Sequence, residues 1–165
     1  VRAVIQRVAR ARVRVEERTT AEMGAGLLVL LAAGQGDGPH EAAWMAEKIT
    51  NLRVFEDEAG KMNRSVLEVD GEMVCVSQFT LYGDCRKGRR PAFVQALEPV
   101  AAARLVEAFV ERVRALGVRC GTGEFGAHMQ VELTNDGPVT LLLDSALARS
   151  AGGQGFAGPG PGEPA

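Results

Sequence analysis

Met129-Gln-Val-Glu-Leu-Thr-Asn-Asp-Gly-Pro-Val-Thr-Leu-Leu-Leu-Asp144 carries two apolar runs, Met129 to Leu133 and Val139 to Leu143, separated by Asn135-Asp136-Gly137-Pro138. Gly137 can take backbone conformations closed to other residues, and Pro138 has a fixed φ and no amide proton. An X-Pro bond is also the one peptide bond at which the cis form comes at little cost. These residues alone predict a chain reversal, with two strands joined by a hairpin turn.

The rest of a sheet lies upstream. Alternation in Ala3-Val-Ile-Gln-Arg-Val8 and in Ala11-Arg-Val-Arg-Val15 predicts two strands joined at Ala9-Arg10. The unbroken apolar run from Gly26 to Ala33 predicts a strand buried on both faces. Val54 to Glu56 and Ser65 to Glu68 read as shorter strands around a turn at Asp57 to Gly60. Pro39 to Leu52 gathers Ala42, Met45, Ala46 and Ile49 roughly on one side of a helix. Glu98 to Leu116 repeats Leu105, Phe109, Val110 and Val113 at helical spacing and stops at Gly117. The fold class that follows is α/β (α+β): a β-barrel-like or strongly curved mixed sheet covered by two helices, in one domain over residues 1–145. Residues 146–165 read as a Gly/Pro-rich disordered tail with too little apolar surface to offset its ordering entropy.

A chain of 165 residues with 46% hydrophobic residues supports one real core. Its longest apolar run is too short for a bilayer, and its start lacks the layout of a secretory signal, so a soluble cytoplasmic protein with no membrane partner is expected. Three scattered cysteines, and His40 far from His128, give no ligand spacing, so neither a metal nor an organic cofactor is implied. A net charge of −2 argues against gripping long nucleic acid. Positive charge is local, however, in Arg86, Lys87, Arg89 and Arg90, which read either as a solvated loop or as a small phosphate contact.

Ser77-Gln78-Phe79-Thr80-Leu81 follows the buried run Met73 to Val76, placing hydroxyl and amide groups where a strand emerges. Backbone N–H groups at such an end can stabilise an oxyanion, and Gln78 offers donor and acceptor together. The same side chains can equally satisfy local backbone. No Ser-His-Asp set is visible, and no histidine neighbours Thr80 to activate it.

The two motifs together resemble the D-aminoacyl-tRNA deacylases, whose bacterial members carry Ser-Gln-x-x-Leu and a second motif centred on Gly-Pro. The resemblance runs from Arg2 to about Asp144. It includes Ala3-Val-Ile-Gln-Arg-Val8, Lys61-Met-Asn-Arg-Ser65 and Gly83 to Pro91, and departs from the family at Val1, at His128 and beyond Asp144. It implies a hydrolase of D-aminoacyl-tRNA, and of glycyl-tRNA, that proofreads chirality in translation. Ser77, Gln78, Phe79 and Thr80 would be catalytic, with the terminal ribose hydroxyl of the tRNA assisting a water. Gly137, Pro138, Met129 and Arg7 would bind substrate, and Arg7 would lock the Gly-Pro loop. It further implies a homodimer in which a cis Gly-Pro from one subunit walls the other's pocket against L-residues, with Arg86 to Arg90 on the acceptor stem. Two alternatives compete: a trans Gly-Pro deacylase acting on small L-aminoacyl-tRNA, and a non-catalytic module that binds tRNA ends.

Overall fold

The computed structural model describes residues 1–150, with side chains described as far as Leu147. Eight strands and three α-helices follow in order: β1 (Arg2–Val15), β2 (Arg18–Met23), β3 (Gly26–Ala32), α1 (Pro39–Thr50), β4 (Phe55–Glu56), β5 (Met62–Arg64), β6 (Glu72–Ser77), α2 (Pro99–Ala115), β7 (Cys120–Thr122), β8 (Met129–Asp144) and α3 (Ser145–Ser150). A 3-10 turn, Phe79–Tyr82, follows β6 directly.

β1 organises the sheet. β3 pairs with Arg2 to Val8 and β2 with Ala11 to Val15, both antiparallel, so they take successive halves of one edge. β8 runs antiparallel along the other edge for nearly the whole length of β1. β6 and β7 extend the sheet beyond β3 in parallel. The sheet is therefore mixed, and it curls because β1 changes face. Ala3 and Ile5 point into a core shared with α1 and α2, whereas Val8, Ala11 and Val13 point into a second core on the opposite side. That second core draws on β1, β2, β3, β6 and β8, which gives the sheet its barrel-like, nearly closed shape. Phe109 on α2 and Met45 and Ile49 on α1 are fully buried against β3 and the first half of β1. Each such side chain contributes roughly 1.5–3 kcal/mol through its burial.

Three expectations give way. β1 is one bent strand rather than two joined at Ala9-Arg10, because β8 spans the join and the irregularity reduces to bulges. The segment from Met129 to Asp144 is likewise one strand, β8, not a hairpin; its two halves pair with the same neighbour in the same direction. Ser65 to Glu68 is a turn rather than a strand, because the Glu68 carboxylate accepts from the Ser65 amide and hydroxyl and curls the chain on itself. The two helices expected over the sheet are α1 and α2, and the short α3 adds a third. α3 occupies the first residues of the expected tail; the remainder, 151–165, lies outside the described residues. Among the described residues no helix is long and apolar enough to cross a membrane.

Candidate active site

β6 is buried from Met73 to Val76 and delivers Ser77 to the end of the sheet, where the chain leaves its ladder. The last ladder contact is the Gln78 amide, which donates to the Leu31 carbonyl at 2.8 Å. Within the 3-10 turn, Leu81 N–H bonds to Gln78 O at 3.1 Å and Gly83 N–H to Thr80 O at 2.9 Å. The Phe79 and Thr80 amides open this turn, where no intrahelical carbonyl can reach them, and among the described residues they carry no hydrogen bond. Of the backbone donors expected between Ser77 and Thr80, then, two are free and the Gln78 amide is not. Gln78 Nε2 donates to Thr80 Oγ1 in a short contact. Phe79 is 57% exposed and meets Phe93 edge-on at 5.0 Å.

Ser77 lines a pocket of about 350 Å³ whose far wall is α2, with Val106, Glu107, Val110 and Glu111, and whose rim carries Phe125. Neither this wall nor Phe125 is legible in the sequence as part of a site. The one available signal is an aromatic among the glycines Gly121, Gly123 and Gly126, where little else calls for one. Met129, expected at the substrate, sits one layer back: it packs with the second core, and its sulfur lies against Gly123 on the pocket wall.

The Gly-Pro motif is an outpouching of β8. Thr140 pairs with Gln6 and Asn135 with Val8, so residues 136–139 stand opposite the single residue Arg7. Asn135 Nδ2 donates to Thr140 Oγ1 at 3.2 Å across the neck of the loop. Gly137 has φ +123°, and the Gly137-Pro138 bond is cis. Both residues are exposed. Arg7 lies beneath them, only 7% exposed. Its Nε donates to the Asp136 carbonyl at 3.2 Å and its Nη1 to the Val54 carbonyl at 2.7 Å. Asp136 Oδ2 at 3.4 Å and Glu56 Oε1 at 4.0 Å balance its charge.

Arg86, Lys87, Arg89 and Arg90 lie exposed on the loop after the 3-10 turn, closed at its neck by a bridge between Asp84 and Ala92. Arg86 is already engaged: its guanidinium grips the Asp84 carboxylate at 2.9 and 2.6 Å. That grip holds the Asp84 carboxyl down at about 2. Lys87, Arg89 and Arg90 have no ion pair among the described residues.

Within one chain the two motifs do not meet. Ser77 pairs with Leu31, which lies opposite Ala3, whereas the Gly-Pro loop stands opposite Arg7, four residues farther along β1 and on its other edge. Three strand spacings and four residue rises separate them by roughly 20 Å along the sheet.

Residues 4–144 match the family described as D-Tyr-tRNA(Tyr) deacylase. A D-aminoacyl-tRNA deacylase of Heliobacterium modesticaldum is 61% identical over 143 residues, covering 87% of this chain and 95% of that protein. One from Thermosipho africanus is 57% identical over 144 residues, covering 87% and 97%. Among solved structures, the c-Myc DNA Unwinding Element Binding Protein is similar, with a TM-score of 0.82 at 42% identity over 87% of this chain and 98% of its own. With both sequence motifs in place on a shared fold, the chain belongs to the D-Tyr-tRNA(Tyr) deacylase family, a family of D-aminoacyl-tRNA ester hydrolases.

Proposed function

We propose that this chain removes D-amino acids, and glycine, from tRNA in the cytoplasm, using a site built from two copies of itself. The observation that carries the reading is the pair of unpartnered amides at Phe79 and Thr80 beside the Ser77 pocket. Ester hydrolysis needs a carbonyl held in place, a water delivered to it and an oxyanion stabilised, and two adjacent unpartnered backbone donors at the start of a turn meet the last need. The pocket behind Ser77 takes the terminal adenosine, which Gln78 helps to orient. The ribose hydroxyl of that adenosine assists the attacking water.

The Gly-Pro loop supplies selectivity. A rigid backbone loop at the α-carbon rejects L-residues by clash, which discriminates better than added attraction to D-residues. Glycine has no side chain to clash and passes. Because this loop lies roughly 20 Å along the sheet from Ser77 of its own chain, the loop that closes the site belongs to a second copy. The open sheet face supports that assembly. Val4, Leu30 and Leu142 are cross-strand neighbours on the side away from α1 and α2, and Leu142 is 80% exposed. A two-fold copy covers such a patch self-complementarily.

The reading is tested by deacylation of matched D-tyrosyl-, L-tyrosyl- and glycyl-tRNA by the purified protein. Hydrolysis of the D- and glycyl esters with the L-ester spared is the expected result. Equal hydrolysis of both tyrosyl esters contradicts it.

Two further results are expected. Thr80→Ala keeps kcat within about tenfold of wild type, because among the described residues no base adjoins the Thr80 hydroxyl, which accepts from Gln78. Trapping an acyl ester on Thr80 by mass spectrometry contradicts that. Replacing Lys87, Arg89 and Arg90 together by glutamine weakens tRNA binding and lowers the slope of log Kd against log salt by about 2 to 3, with selectivity unchanged. An unaltered slope makes the cluster a solvated loop.

A further inference from the structure

The 3-10 turn that presents the Phe79 and Thr80 amides has no buried residue of its own, so packing beneath it does not fix its direction. It is fastened at its far end. The Arg2 guanidinium lies over the Tyr82 ring, 4.4 Å from its centroid. The same group donates from Nη1 to the Leu81 carbonyl at 3.1 Å and from Nε to Asp144 Oδ2 at 2.8 Å. The ring is seated against backbone at residue 34, where a Cβ would lie 2.5 Å from the phenol oxygen and 2.6 Å from Cε1. Only glycine leaves that space. The phenol donates to Asp37 Oδ2 at 3.2 Å, and that oxygen also accepts the Gly34 amide at 2.7 Å. Burial, reinforced by the Asp37 carboxylate, raises the Tyr82 pKa, so the phenol remains a neutral donor. Three segments distant in sequence, β1, the β3–α1 loop and the end of β8, thus meet at the last two residues of the turn.

We propose that Arg2 and Tyr82, seated on Gly34 and Asp37, form a clamp that aims the Phe79 and Thr80 amides at the ester carbonyl. They are positioning residues: neither lines the Ser77 pocket nor touches the reacting atoms. The proposal rests on the reading of those two amides as oxyanion donors. It adds that their direction is set from outside the pocket, by a stacked cation and a seated ring. The consequence is specific. Loosening the clamp leaves the tRNA-binding surfaces in place but moves the donors, and an ångström of misplacement at reacting atoms is worth about a hundredfold in rate.

Steady-state deacylation of D-tyrosyl-tRNA by full-length variants tests this. Tyr82→Ala and Arg2→Ala are expected to lower kcat by about tenfold to a hundredfold with KM within about twofold, since only transition-state interactions are lost. Tyr82→Phe keeps the ring between Arg2 and Gly34 and recovers most of that turnover. Arg2→Lys keeps the charge but loses the planar fork to Leu81 and Asp144, and falls between wild type and Arg2→Ala. Where an alanine variant does not fold, Arg2→Lys carries the test, and wild-type kcat in it overturns the clamp. So does a loss in Tyr82→Ala that appears wholly in KM, or a Tyr82→Phe no better than Tyr82→Ala. Phe79→Pro, which deletes one amide proton, separates the two levels. Lost turnover there with full turnover in the clamp variants removes the clamp and leaves the amide reading intact. Full turnover in Phe79→Pro removes both.

Discussion

Replacing Phe79 with proline is expected to lower kcat on D-tyrosyl-tRNA by about 10²–10³-fold, the loss that follows removal of one oxyanion donor. The substitution is chemically narrow. Phe79 is the first residue of the 3-10 turn, where an amide proton has no role in the turn and the fixed φ of proline fits. Gln78 before it, at φ −144° and ψ 72°, already lies outside the α region that a following proline disfavours, and its bond to the Leu31 carbonyl is untouched. The aromatic ring is lost as well, so Phe79→Ala is the reference. That variant forfeits one edge contact with Phe93 from a ring already 57% exposed, and keeps the N–H. A difference of two orders of magnitude between the two variants assigns the effect to the donor. Equal kcat values contradict the oxyanion reading.

The second large effect falls on selectivity. A Cβ at residue 137 would stand 2.9 Å from Val139 Cγ2, 3.0 Å from Arg7 Nη2 and 3.1 Å from the Val139 amide, at a φ that L-residues rarely adopt. Gly137→Ala must therefore shift the loop or displace the guanidinium beneath it. Arg7→Ala reaches the same end from below. It leaves the Asp136 and Val54 carbonyls without their donor, at about 1–3 kcal/mol for each group that stays buried and unsatisfied. Both variants are expected to raise kcat/KM for L-alanyl-tRNA relative to D-tyrosyl-tRNA by about tenfold or more, equivalent to about 1.4 kcal/mol of lost discrimination. Hydrolysis of the glycyl ester should change little, since it meets no clash. Unchanged rejection of the L-ester in Gly137→Ala, with the D-ester still turned over, places the filter elsewhere.

Much of this architecture is written locally. Gly26 to Ala32 is apolar at nearly every position because β3 is covered by helices on one face and the second core on the other. The repeat along α2 marks the face that packs on the sheet, and Gly117, at φ +98°, ends it. The misread segments are those whose fate depends on a distant partner. Gly-Pro reports that regular pairing stops at residue 137, but a reversal and an outpouching use the same two residues. What decides between them is fourteen residues of β1 waiting at the other end of the chain. β2 and β7 escape notice for a related reason. Four of the six residues from Arg18 to Met23 are polar, and Cys120 to Thr122 is only three residues long, so each is a strand chiefly because a neighbour offers it a ladder. In the candidate site, the motif from Ser77 to Leu81 is legible as strand-end chemistry. The pocket wall on α2 is hidden, because its residues follow the same periodicity that builds the core.

The central claim is that the Gly-Pro loop of one copy serves the amides of another, and mixed dimers test it most directly. Subunits carrying Phe79→Pro and subunits carrying Gly137→Ala are given different affinity tags, combined, and purified as heterodimers. If the loop acts across the interface, the one competent set of amides is closed by an unaltered loop, and the heterodimer hydrolyses D-tyrosyl-tRNA with wild-type rejection of L-alanyl-tRNA. If the loop serves its own chain, the same amides are closed by the altered loop, and the heterodimer shows the relaxed selectivity of Gly137→Ala. Wild-type selectivity is the result predicted; relaxed selectivity, or a protein that remains fully active as a monomer, contradicts the shared site.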